Sequence, residues 1–98
     1  MSSADKLRQR FSSFNKTHSF KPGDIVRWKR GLKNRKLPNE ADPAIVIEVF
    51  ATPLKDPQHG SGSPYFAEKL DISLGILDDE DDFVIYCFDS KRFEPHDE

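Results

Sequence analysis

Lys21-Pro22-Gly23-Asp24, followed directly by Ile25-Val26-Arg27-Trp28, constrains the chain more than any other stretch. Proline pre-sets one turn dihedral, glycine takes a positive φ without steric cost, and aspartate can hydrogen-bond the backbone of its own turn. The β-branched and aromatic residues that follow read as a strand, with Val26 and Trp28 on one face and Ile25, Arg27 and Lys29 on the other. The turn thus divides the chain into a helix-like part before it and a strand-like part after it.

Before the turn, Ser2, Ser3 and Asp5 are suited to cap a short helix running to about Phe14, with Leu7, Phe11 and Phe14 on one stripe at i, i+4 and i+7. Its alternatives are to pack on the rest of the fold, to fray, or to serve as a dimerisation or membrane-surface helix. After the turn, 30–42 reads as a loop punctuated by Gly31 and Pro38. Ala44 to Phe50 is a strand that is apolar on both faces except at Glu48, which belongs in the centre of a curved or closed sheet. Residues 51–64 form a connector with three prolines, two glycines and two serines. Leu70, Ile72, Leu74 and Ile76 alternate with Asp71, Ser73 and Gly75 as a half-buried strand. The acidic run Asp78-Asp79-Glu80-Asp81-Asp82 turns the chain, and Phe83 to Phe88 returns as another two-faced strand. Asp89 to Arg92 reads as one 3₁₀ turn, and Phe93-Glu94-Pro95 as a last short strand that the proline ends.

The expected fold is mostly β: a small SH3-like five-stranded barrel over residues 20–95, preceded by a short N-terminal helix and polar linker (1–19) and followed by a tail (96–98). Closure is expected because it removes the edges that a small open sheet presents. The segments Gly23 to Gly31 and Pro43 to Val49 resemble the opening of SH3-like barrels of the Tudor, PWWP and KOW kind, and Phe83 to Pro95 resembles how such barrels close. Ala41 and Asp42 stand where most PWWP domains carry an aromatic pair, so the resemblance implies the fold and not methyl-lysine reading.

A chain of 98 residues forms one domain with a modest core, and eight Phe, two Tyr and one Trp argue for folding despite the high charged fraction. The single cysteine, Cys87, cannot form an internal disulfide. With no apolar signal segment and no apolar run of spanning length, the expected location is cytoplasmic. Charge is unevenly distributed: residues 1–37 carry 11 Lys/Arg against 2 Asp/Glu, and residues 38–98 carry 4 against 15. That asymmetry gives either separate basic and acidic faces or internal pairing.

The sequence carries no catalytic signature, and the chain is read as a non-enzyme without cofactor or metal. His18, His59 and His96 have no metal-ligand spacing, His59 to Ser63 lacks the lysine of a phosphate loop, and 78–82 lacks the glycine and later glutamate of a calcium loop. Cys87 reads as a small core residue. Two surfaces remain as candidates. The aromatics Tyr65, Phe66, Trp28 and Tyr86 are candidates for a groove that binds a protein partner or a second copy, and this interaction module is the preferred function. The alternative is a nucleic-acid-binding barrel, with Lys29, Arg30, Lys33, Arg35 and Lys36 beside Trp28 combining counterion release with a stacking ring.

Overall fold

The computed structural model of the chain describes residues 2–54 and 69–96. Helix α1 spans Ser3–Asn15, and the Ser2 hydroxyl caps it by accepting the Asp5 N–H at 3.1 Å. The strands are β1 (Ile25–Trp28), β2 (Ala44–Leu54), β3 (Leu70–Leu77), β4 (Phe83–Phe88) and β5 (Phe93–Pro95), and a 3₁₀ turn at Ser90–Arg92 joins β4 to β5. The turn before β1 forms as its residues require. Gly23 sits at φ 95°, and the Asp24 carboxylate accepts the Lys21 N–H at 3.0 Å.

All five strands lie in one antiparallel sheet of order β4-β3-β2-β1-β5. The two-faced strand β2 is central, as expected for it. It is longer than expected: pairing with β3 continues past two register shifts to Leu54 opposite Leu70, so residues 51–54 are strand and not connector. Among the described residues β4 and β5 do not pair, and the sheet is not closed. It is nevertheless curled, because the rings of Phe88 on β4 and Phe93 on β5 lie 5.2 Å apart. A flat sheet would hold its two outer strands about 19 Å apart at ~4.8 Å per strand.

The curl encloses the core: Val26, Trp28, Ala44, Val46, Ile72, Leu74, Ile76, Phe88 and Phe93. Trp28 stacks on Phe93 at 4.3 Å and meets the edge of Phe88 at 5.6 Å, and its indole N–H donates to the Pro38 carbonyl at 2.7 Å. That bond satisfies the one polar atom of the ring and pulls the 30–43 loop over it. The 3₁₀ turn is held from β3, where both Asp71 carboxylate oxygens accept from Ser90, one from its N–H and one from its hydroxyl, each at 2.7 Å.

α1 adds no residue to this core. Only Phe14 of its expected stripe docks, with Lys91 and Arg92 over its ring at 5.5 and 5.2 Å, while Leu7 and Phe11 are 70% and 68% exposed. The helix is fastened mainly by polar groups. The Lys29 ammonium donates to the carbonyl oxygens of Ser13 and Lys16 at its C-terminal end, and the Arg10 side chain occupies the space where a side chain on Gly31 would stand. Carbonyls left without partners at a helix C-terminus favour a cation, which is why a lysine leaving β1 turns inward here.

Candidate functional site

The hairpin of β3 and β4 builds the most distinctive surface. Its tip is a tight turn in which the Asp78 carbonyl accepts the Asp81 N–H, and the Asp78 N–H donates to the Asp82 carbonyl, both at 3.0 Å. The Asp78 carboxylate also accepts the N–H groups of Glu80 and Asp82 at 2.9 Å. Asp81 takes φ 61°, the left-handed position of a bulged three-residue loop. The acidic run is therefore first a turn-former, with Asp79 to Asp82 exposed at its tip.

Hydrogen-bonded and non-hydrogen-bonded pairs alternate along an antiparallel ladder. Counting from the bonded pair Asp78–Asp82, residues 84, 86 and 88 turn their backbone groups toward β3. Residues 83, 85 and 87 turn theirs away, toward the free side of β4. No described strand occupies that side. The side chains do not guard it with charge: Phe83, Ile85 and Tyr86 are 58%, 52% and 50% exposed. Phe83 lies across Gly75 of β3, where any side chain would collide with its ring.

A pocket of about 380 Å³ opens at the far end of the same strand. Arg35, Lys36 and Leu37 from the 30–43 loop form one wall; Leu70 of β3 with Tyr86, Cys87 and Phe88 of β4 forms the other. Burial pushes the Cys87 thiol above its ordinary pKa, with nearby Arg35 opposing the shift. The thiol is thus held protonated and poorly nucleophilic. The hairpin accordingly presents carboxylates at one end, backbone that pairs with no described strand and apolar side chains along its edge, and a cationic, aromatic-lined pocket at the other end.

The sequence candidates separate on this frame. Tyr86 belongs to the pocket and is half exposed. Trp28 is corrected: it is 2% exposed in the aromatic core and offers no ring to a partner. Lys29 is corrected as well, since it is 1% exposed and its ammonium caps α1. Desolvation by burial holds its pKa below the ordinary lysine value. Arg30, Lys33 and Lys36 are exposed and Arg35 is half-buried, and of the four Arg35 and Lys36 line the pocket. Tyr65 and Phe66 lie outside the described residues. Phe83, Ile85, Leu37 and Leu70 were not singled out in the sequence. The Phe83 to Phe88 pattern marked a strand apolar on both faces, but periodicity does not say which strand ends a sheet. No model of a known family, no characterised protein and no solved structure matches this chain.

Proposed function

We propose that the chain is a non-enzymatic interaction module that takes an extended protein segment, foreign or its own, along the free edge of β4. The observation that carries this reading is the coincidence, on one six-residue strand, of outward backbone groups and three half-exposed apolar or aromatic side chains. An added strand draws affinity from the backbone ladder and selectivity from alternate side chains, with the pocket of Tyr86, Arg35 and Lys36 suited to an acidic or apolar anchor. Sheet edges of this length are usually guarded by lysine, proline or bulges, and this one is not. The SH3-like barrel is part of the proposal. A 3₁₀ turn leading to a short strand that returns to β1, and a sheet curled enough to bring Phe88 onto Phe93, support it.

The nucleic-acid alternative keeps Arg30, Lys33, Arg35 and Lys36 but loses both its stacking ring and Lys29 to the interior. One pair of titrations decides between the two. Peptides of alternating apolar and acidic residues are expected to shift the amide resonances of Phe83, Ile85 and Cys87. Single-stranded DNA at low salt is expected to leave the 30–36 amides unmoved. DNA binding that falls steeply with salt and disappears on Lys33→Ala with Lys36→Ala would replace this reading with the alternative.

A further inference from the structure

We infer that the segment taken by β4 is β4 of a second copy, so that two chains join edge to edge as a twofold dimer with one continuous ten-stranded sheet. The inference rests on the reading of β4 as a binding edge and names its occupant.

The backbone selects the register. A twofold axis perpendicular to the sheet makes the two β4 strands antiparallel and keeps outer faces together, so each residue must face one of the same parity. Only centring on Ile85 pairs all three outward positions within the strand: Ile85 with Ile85 of the second copy, Phe83 with its Cys87, and Cys87 with its Phe83. Each of these facing pairs exchanges two N–H···O=C bonds. On the outer face Phe83 meets Cys87 of the second copy and Ile85 meets Ile85, and on the inner face Val84 meets Tyr86. Each half-exposed side chain thereby gains a cross-strand neighbour on the flank turned toward the second copy.

Charge selects a second copy over an arbitrary strand. In this register Asp82 of one hairpin lies opposite Phe88 of the other copy. The exposed carboxylates of Glu80 and Asp82 therefore come to the pocket end of the second chain, where Arg35 and Lys36 form the wall. The twofold repeats the contact at the other end. A parallel arrangement would instead set the two acidic tips side by side, which like-charge repulsion opposes. The surface is thus self-complementary, as an isologous interface must be.

Sedimentation of the full chain from about 1 µM to about 1 mM tests this, beside three variants. The wild type is expected to pass from monomer to dimer. Ile85→Lys, which sets two ammonium groups together at the axis, should weaken association by about tenfold or more. Arg35→Glu with Lys36→Glu should weaken it comparably, and adding Glu80→Lys with Asp82→Lys to that variant should restore it to within about threefold of wild type. A chain that stays monomeric throughout overturns the dimer, and so does a dimer that Ile85→Lys leaves intact. Peptide-induced shifts at Phe83, Ile85 and Cys87 in a chain that stays monomeric would leave the edge-binding reading standing, whereas their absence in such a chain would overturn both.

Discussion

His18 shows how the buried lysine reaches beyond its own hydrogen bonds. Its ring stacks on Phe20 at 5.8 Å, in the linker that carries the chain from α1 to the turn before β1. Desolvation, then the positive charges of Lys29 and Lys16, hold its pKa below the ordinary 6.5. The unfolded chain therefore binds more protons than the folded one between the two pKa values. This contribution to stability is complete above 6.5 and is lost as pH falls through the folded value. Urea midpoints measured between pH 7.5 and pH 5 should fall more steeply for wild type than for His18→Gln; equal slopes would show that His18 carries none of the dependence. Lys29 was not legible as a partner of α1. A lysine after Trp28, at the head of a run of five cations in eight residues, reads as surface charge. Only the arrival of a helix C-terminus from residues 13–16 makes burial of that ammonium favourable, and no local pattern encodes that meeting.

At the scale of elements, the strands, their faces and the turns between them were largely readable, because each is set by short-range chemistry. Alternation placed Val26 and Trp28 inward, and Asp89 ahead of Ser90 to Arg92 marked the 3₁₀ turn. Edge and centre were not readable: Ala44 to Phe50 and Phe83 to Phe88 have the same two-faced pattern, yet one is the central strand and the other ends the sheet. For β4 the outward apolar side chains mark a surface that water still reaches. The hairpin that delivers this edge is not optimised for stability, since Asp81 holds the left-handed position that glycine occupies at no steric cost. Asp81→Gly should raise stability by about 0.5–1 kcal/mol, toward the lower end because aspartate tolerates this region better than most residues. Denaturant unfolding at low protein concentration measures it. An unchanged or lower midpoint would mean that the Asp81 side chain supplies interactions that offset its backbone strain.

At the scale of the molecule, the chain consists of a curled sheet with a self-contained core and a helix tied to it from outside. No residue of α1 is buried, and its anchors are the Lys29 ammonium, the Arg10 side chain over Gly31, and the Phe14 ring under Lys91 and Arg92. Elements held by few apolar contacts open well below the free energy of global unfolding. Removing residues 2–17 should therefore leave a cooperatively unfolding sheet, at a cost of about 1–3 kcal/mol. The same deletion gives a sharper result when combined with Lys29→Met. In the full chain that substitution takes the ammonium from the Lys16 carbonyl and leaves the Ser13 carbonyl with only the Lys16 N–H, 3.2 Å away, and should cost about 1–3 kcal/mol. In the shortened chain those carbonyls are gone and the ammonium reaches water, so the substitution should be nearly neutral, and the two changes should be far from additive. A shortened chain without β-sheet circular dichroism would make α1 part of the cooperative core, and an equal cost of Lys29→Met in both chains would mean that Lys29 stabilises the sheet itself and not the attachment of the helix.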